Sequence, residues 1–304
     1  MTTKPKLVVT TVVSADSFQY YIPIFIYTWL RAYPNAIVKV YLRGKLNADV
    51  ITTLDLIDEQ ESFIIEEDSF LDFPTRESTC NTLRHLIPED EFEGFDYLYI
   101  TDIDFIALRH NPSHLDYFAE NMSRTKLPYA SFRGPFRKPY RPNISKAGWK
   151  GKFRRVVDGT LMLKIPEWYD ATRKQRQHYW DVLLSGGNDG IDTHPSCSYR
   201  EYNEVMMYRI CSKSKIKTPK TRRCFPNGDI FSVKYRDIHL GDFKFKHRQT
   251  NHKYLEKKIK IENIRQFIVL EQDPLWREIC KICCKDEMVG GVMKHLRKYV
   301  EERG

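Results

Sequence analysis

The sequence predicts an α/β protein whose central sheet is open and mostly parallel. Short apolar segments rich in β-branched residues alternate with helical segments through roughly the first 100 residues. A strand, a helix and a second strand follow one another within residues 7–42, which indicates a right-handed parallel crossover. Such sheets bind ligands at the carboxyl ends of their strands, so polar side chains at those ends are the first candidates for function.

The elements are predicted from apolar patterning and from turn residues. Strands are predicted at residues 7–13, 37–42, 63–65, 97–100, 156–165, 230–233 and 237–240. Helices are predicted at residues 21–33, 46–58, 79–87, 165–184, 202–210, 259–270, 276–284 and 292–302. Pro23 falls in the first turn of the first helix, where its missing N–H costs nothing. The basic, aromatic segment 132–153 predicts a long functional loop.

Composition limits the classes of protein that fit. The chain has 304 residues, a formal net charge of +9 and a pI near 9.0, so phosphorylated substrates and anionic surfaces are suitable partners. We find no signal peptide and no stretch of ~20 apolar residues that would span a bilayer, so we expect a cytoplasmic protein. Seven cysteines without a regular framework indicate a reducing compartment. Cys280, Cys283 and Cys284 form a cluster that is weak evidence for zinc, and helix-borne thiols are the alternative.

The strand 97–100 leads directly into two carboxylates, Asp102 and Asp104. Burying an ionised carboxylate is costly unless it is paired or bound to a cation. Two carboxylates one residue apart at a strand end therefore suggest a divalent cation site, and hard oxygen ligands suit Mg²⁺ or Mn²⁺. The alternative is a strand-end loop with two solvated aspartates.

A second motif lies late in the chain, where His239 ends a short strand and Gly241 and Lys244 follow. Together with Asp102 and Asp104, this arrangement resembles the retaining glycosyltransferases of the glycogenin and lipopolysaccharide galactosyltransferase family, which have the GT-A fold. In that family an Asp-x-Asp pair and a late histidine hold Mn²⁺. Two departures stand out here: the glycine follows the histidine by two positions instead of three, and Phe-Lys replaces the family's Pro-Trp.

The resemblance implies roles for further residues. Nucleotide contacts are implied for Thr11, Val12, Val13, Asp16, Tyr21, Arg84, Gly241 and Lys244. Asp158 resembles the family's position beside the donor sugar, and Glu204 resembles its contact to the transferred sugar. These two acids are also the candidates for a general base if the enzyme inverts the anomeric centre. The alternatives are a turn aspartate and a solvated acid on a helix face.

The implied activity is metal-dependent transfer of a sugar from a nucleoside-diphosphate donor, with UDP favoured, to a hydroxyl of a saccharide or glycolipid acceptor. Retention of configuration is favoured over inversion, and surface polysaccharide or glycan synthesis is the implied setting. The cofactor is Mn²⁺ or Mg²⁺. We divide the chain into a GT-A nucleotide-sugar-binding catalytic domain, residues 1–250, and a C-terminal helical extension, residues 251–304.

Two other functions stay open from the sequence. Nucleotidyl and phosphoryl transferases also use paired aspartates with Mg²⁺, although no G-x-x-x-x-G-K-[ST] loop is present. A basic nucleic-acid-binding protein fits the charge, but no binding motif is recognised and we expect no nucleic-acid partner. The basic C-terminal segment 294–300 suggests peripheral contact with an anionic membrane, and a helix docked on the catalytic domain is the alternative.

Overall fold

The structure is a computed structural model that describes most of the chain. The described residues are 5–57, 62–75, 79–131, 136–137, 154–155, 160–187, 189, 202–216, 237–244 and 252–304. Most of the predicted loop 132–153, Asp158 and the predicted strand 230–233 lie outside them.

The strands confirm the predicted fold class. They are β1 (Leu7–Ser14), β2 (Ala36–Arg43), β3 (Phe63–Glu66), β4 (Tyr97–Ile100), β5 (Phe105–Ile106), β6 (Tyr129–Ser131), β7 (Phe136–Arg137), β8 (Arg154–Arg155), β9 (Leu161–Lys164) and β10 (Ile238–His239). Six of them form a mostly parallel sheet in the order β3-β2-β1-β4-β9-β6. β2 and β3 pair in parallel, whereas β9 runs antiparallel to both β4 and β6.

Helices follow the strands as expected for an α/β protein. They are α1 (Ile22–Ala32), α2 (Ala48–Leu54), α3 (Thr79–Leu83), α4 (His114–Thr125), α5 (Ile165–Leu184), α6 (Tyr202–Lys213), α7 (His252–Lys258), α8 (Ile261–Glu271), α9 (Pro274–Cys283) and α10 (Glu287–Glu301). The predicted helices correspond to these within a few residues, and α7 lies within the predicted helical extension 251–304, whereas α4 was not indicated by the patterning. None of the helices in the described ranges combines the length and the apolar character needed to cross a bilayer.

The chain divides into two compact units, which we describe separately. One contains residues Met1–Leu7, Phe70–Ile100 and Leu115–Phe231, and the other contains Val8–Ser69, Thr101–His114 and Ser232–Gly304. The division of the sequence at residue 250 stays a prediction.

In the first unit, the buried guanidinium of Arg176 joins the long helix α5 to the segment that contains His85 and Ile87. The guanidinium of Arg176 donates to the carbonyl oxygens of His85 and Ile87 and lies 4.0 Å from the centre of the Tyr169 ring. The Tyr169 hydroxyl donates to the same Ile87 carbonyl at 2.8 Å. Burial is the largest influence on Arg176 and lowers the pKa of its guanidinium.

In the second unit, α1 is apolar around its whole circumference and is buried accordingly. Ile24, Phe25 and Trp29 have no solvent exposure. The C-terminal helix α9 packs against α1 and α2, and the Tyr27 and Trp276 rings stack with their centres 6.2 Å apart. The C-terminal helices are thus part of the core of this unit.

Asp273 joins α1 to α9. Its Oδ1 accepts hydrogen bonds from the amides of Leu275 and Trp276 at 3.0 and 3.3 Å and so caps α9, while Oδ2 accepts from the Tyr27 hydroxyl at 2.5 Å. Arg31 Nη1 lies 3.5 Å from the same Oδ2. Burial alone would raise the pKa of Asp273, but these hydrogen bonds and the arginine outweigh burial and lower the pKa.

We therefore expect Asp273→Ala to lower the free energy of unfolding by about 1–3 kcal/mol, because it removes a helix cap and leaves a tyrosine hydroxyl without its acceptor. Because the folded-state pKa lies below the unfolded value of about 3.9, this stabilisation is present above that value and is lost as the pH falls through the folded-state pKa. Urea unfolding between pH 7 and pH 3 measures both effects.

The control is Asp286→Ala, which removes the cap of α10 that Asp286 forms with the Val289 amide at 3.0 Å. We expect a smaller cost, about 1 kcal/mol or less, since a cap of this kind typically contributes about 1 kcal/mol. Equal costs for the two variants would contradict a special role for Asp273.

The helix α10 bears on the membrane hypothesis. The apolar side chains that would have to enter a lipid surface, including Leu296, Tyr299 and Val300, are buried within the protein. Within the second unit α10 packs against the short 3-10 turns at residues 17–21 and 240–242. This packing favours the docked alternative.

Candidate metal centre

The two predicted carboxylates lie in the turn between β4 and β5. The Thr101 amide, directly before them, donates to the carbonyl of Thr10 in β1 at 3.2 Å. Asp102 and Asp104 follow, and both are partly exposed, with 17% of the Asp104 side chain accessible. The aspartates therefore lie at the position where the sequence predicts a ligand site.

His239 reaches the same turn through strand pairing. β10 runs antiparallel to β5, with Ile238 opposite Ile106 and His239 opposite Phe105. The imidazole stacks on the Phe105 ring at 4.6 Å with an interplanar angle of 14°. The Leu240 amide donates to the Asp104 carbonyl at 2.8 Å, which fixes the next residue as well. His239 Nε2 consequently lies 3.3 Å from Asp104 Oδ1.

Asp102, Asp104 and His239 form a group that fits a divalent cation. One ligand atom from each lies within 4.8 Å of the ligand atoms of the other two. Gly241 lies directly beside this group, because a Cβ atom at that position would lie 2.8 Å from both Asp104 Oδ2 and His239 Nε2. Two carboxylates and one imidazole suit Mn²⁺, which accepts oxygen and nitrogen ligands. The space beside the ligand atoms thus depends on the absence of a side chain at residue 241.

The negative charges around His239 also favour a cation at this site. Burial alone would lower the pKa of His239, but the surrounding carboxylates, Asp104 first and then Asp242 and Asp102, outweigh it and raise the pKa. Three negative groups around one imidazole produce a site that favours a positive charge. A proton and a metal ion compete for this position, so cation binding should weaken as the pH falls.

The sequence reasoning missed a further carboxylate, Asp242. It is 5% exposed, and its Oδ1 lies 3.9 Å from His239 Nδ1. The same Oδ1 accepts a hydrogen bond from the Tyr254 hydroxyl at 2.7 Å. Carboxylates on the far side of a ligating histidine commonly orient its ring. The spacing of three residues between His239 and Asp242 is the only sequence signal that could have indicated this contact.

Tyr21, one of the predicted nucleotide residues, lies close enough to Asp104 to feel its charge. Its side chain is 2% exposed, and burial first, with the charge of Asp104 second, raises the pKa of its hydroxyl. Asp16 caps the 3-10 turn that leads to it, accepting from the Phe18 amide at 2.9 Å and from the Ser14 hydroxyl at 2.8 Å. The roles of both residues toward a nucleotide stay predictions.

The remaining predicted residues are placed as follows. Thr11, Val12 and Val13 are buried in β1, with 1, 5 and 2% exposure. Lys244 is exposed, and its ammonium lies 4.7 Å from the centre of the Phe18 ring. In the other unit, Arg84 and Glu204 are 3 and 5% exposed, and Asp158 lies outside the described residues.

Two of the solved structures that resemble this chain are forms of one galactosyltransferase. One is the galactosyltransferase LgtC in complex with donor and acceptor sugar analogues, with 14% identity, a TM-score of 0.34, and coverage of 72% of this chain and 99% of that chain. The other is an active-site mutant of LgtC, with 14% identity, a TM-score of 0.34, and coverage of 66% and 84%. No protein-family model and no curated protein matches the sequence. Similarity at this level assigns no activity to this chain.

Proposed function

We propose that this protein is a metal-dependent glycosyltransferase that moves a sugar from a nucleoside-diphosphate donor to a hydroxyl group of a saccharide or glycolipid. UDP is the favoured nucleotide, and retention of configuration is the favoured outcome. The observation that carries the proposal is the group of Asp102, Asp104 and His239 at a strand end, with Gly241 leaving room beside the ligand atoms. Both motifs that the sequence indicated separately meet in this group.

The proposed reaction breaks the bond between the anomeric carbon and the β-phosphate oxygen of the donor. A new bond forms between that carbon and the acceptor oxygen, and the acceptor hydroxyl gives its proton to a carboxylate on the inverting route or to the departing diphosphate oxygen on the retaining route. Negative charge develops on the departing diphosphate, and a divalent cation held by Asp102, Asp104 and His239 would supply Lewis-acid stabilisation of that charge. Preorganised electrostatic stabilisation of this kind is usually the largest single contribution to catalysis.

The protein's own residues prepare this step. Asp102, Asp104 and Nε2 of His239 would hold the cation, and Asp242 lies near Nδ1 on the other side of the imidazole. A carboxylate on that side favours the tautomer whose Nε2 lone pair is free to bind metal. Lys244, three residues beyond Gly241, is the cation that we assign to the diphosphate.

The acid–base roles depend on the anomeric outcome. For inversion, a carboxylate would take the acceptor proton, and Asp158 and Glu204 are the proposed candidates. For retention no base is required at that position. Glu204 lies in the first turn of α6 and is only 5% exposed. It can act on the acceptor hydroxyl only if the bound acceptor contacts its carboxylate.

Nucleotide binding tests the proposal most directly. Thermal unfolding is followed with UDP, GDP, CMP and ADP, each with and without Mn²⁺. One nucleoside diphosphate should stabilise the protein only with Mn²⁺, by about 2.7 kcal/mol when free nucleotide is 100 times its dissociation constant. Nucleotide without metal is the control for non-specific attraction to the basic surface.

Product analysis then separates the related reactions. Incubation with sugar nucleotides of the stabilising base should release a nucleoside diphosphate. A nucleotidyl transferase would instead release a sugar 1-phosphate from these donors, and pyrophosphate from the corresponding nucleoside triphosphate. Absence of any metal-dependent response to all four nucleotides would reject the proposed donor class.

A further inference from the structure

A second group of metal-binding side chains lies in the same unit, away from Asp102 and Asp104. It consists of His110, in the segment after β5, His114, the first residue of α4, and Asp237, which directly precedes β10. One ligand atom from each lies within 4.8 Å of the other two. The sequence reasoning gave none of these residues a role.

The distances between the ligand atoms of this group are close to those between the ligands of a bound metal ion. His110 Nε2 lies 3.0 Å from Asp237 Oδ1, and His114 Nδ1 lies 3.8 Å from Asp237 Oδ2. Ligands bound tetrahedrally at 2.0–2.1 Å from zinc are separated from one another by about 3.3 Å. The two observed distances lie on either side of this value, and the ligand atoms of the two histidines are also within 4.8 Å of each other.

The surroundings of the group are almost free of solvent. The side chains of His110, His114 and Asp237 are 3, 0 and 3% exposed. The imidazoles stack on each other with their centres 4.4 Å apart, and the rings of Tyr33 and Trp29 lie 5.6 and 6.0 Å from the His114 ring. This is an aromatic pocket that holds one carboxylate.

Asp237 needs compensation for its burial. Its Oδ1 accepts from the Leu108 amide at 2.9 Å and faces His110 Nε2 at 3.0 Å, whereas Oδ2 is 3.8 Å from His114 Nδ1, beyond hydrogen-bond distance. A carboxylate that carries a full charge in an aromatic pocket is costly unless a cation neutralises it. A divalent cation between Asp237 and the two imidazoles would supply that charge and use all three side chains.

We propose that His110, His114 and Asp237 supply three ligands of a zinc-class divalent ion, that water completes its four-coordination, and that the ion stabilises the fold. Two imidazoles and one carboxylate favour Zn²⁺, whereas the two carboxylates and single imidazole of Asp102, Asp104 and His239 favour Mn²⁺ or Mg²⁺. Because the three side chains are buried, the ion has no access to a large substrate. It holds together the segment after β5, the start of α4 and the residue before β10. In this way it stabilises the position of β10, the strand that carries His239.

The test measures metal in the purified full-length protein. After dialysis against a weak chelator, elemental analysis should find about one equivalent of zinc per chain in the wild type and in Asp104→Asn. His110→Ala and Asp237→Asn should lose this zinc. His178→Ala, which removes a histidine whose side chain is 43% exposed, should retain it.

A spectroscopic measurement keeps the proposal testable if a variant folds poorly. Co²⁺ added to metal-free Asp104→Asn protein should give the visible absorption of a tetrahedral nitrogen–oxygen site, and one equivalent of Zn²⁺ should displace it. Absence of both the retained zinc and the cobalt spectrum would overturn the proposal and leave a proton-sharing histidine–aspartate network. Zinc retained undiminished by folded His110→Ala would also overturn it. These results do not depend on nucleotide binding, so they stand apart from the proposed function.

Discussion

Asp104→Asn should abolish the Mn²⁺-dependent stabilisation by nucleotide and lower sugar-transfer turnover by at least about 100-fold. The change replaces a charged oxygen, 3.3 Å from His239 Nε2, with an amide of the same shape. Changes to groups that only support metal ligands already cost roughly 10–100-fold in affinity or activity, so loss of a ligand should cost more. Calorimetric titration with Mn²⁺ and steady-state turnover measure the two effects.

The control removes one negative charge elsewhere. Asp170 is 75% exposed and forms a surface ion pair with Arg173, so Asp170→Asn should leave both Mn²⁺ affinity and turnover unchanged. If folded Asp104→Asn binds Mn²⁺ as tightly as the wild type, the assignment of the cation to this group is wrong.

Gly241→Ala should weaken cation binding while the protein stays folded. The added Cβ would lie 2.8 Å from Asp104 Oδ2 and from His239 Nε2, closer than side-chain contacts allow. The Asp104 carboxylate can rotate away at modest cost in stability, but it then leaves the position required for the ion. We expect Mn²⁺ affinity to fall roughly 10–100-fold, as for other changes that misplace ligands.

The matched control is Gly291→Ala in α10. Apart from its chain neighbours and the backbone of its own helix, no atom lies within 4 Å of the Cβ that this change adds, and the position is helical. Alanine in a helix interior is favoured over glycine by about 0.5–1 kcal/mol, so this variant should be slightly more stable and bind Mn²⁺ normally. Equal Mn²⁺ affinity in both variants would show that the space beside Gly241 is not used by an ion.

The parts of the fold that patterning predicts are those in which local sequence and burial agree. The apolar run of α1, with Pro23 in its first turn, and the strand before Asp102 both carry their signal within a few neighbouring residues. The direction in which a strand runs relative to its neighbours has no such signal in the local sequence. β9 has the composition of any buried strand, and only its partners β4 and β6 show that it runs antiparallel.

The candidate site was predictable to the extent that its residues form short motifs. Asp102 and Asp104 follow a strand, and His239 stands beside Gly241, so each motif is visible alone. Asp242 and the group of His110, His114 and Asp237 were not predicted. Their chemistry arises from burial and from long-range contacts that bring polar side chains together, and no local spacing reports those contacts.

The pairing of β10 with β5 has a consequence for the order of folding. Leu108 and Asp237, which are hydrogen-bonded beside this pairing, are separated by 129 residues. Closing so long a loop has an entropic cost that must be met before its contacts stabilise the chain, so such contacts tend to form slowly. His239 would then join Asp102 and Asp104 only after most of the chain has been synthesised. Cation affinity would accordingly report completed folding, and shorter nascent chains would carry the two aspartates without their histidine.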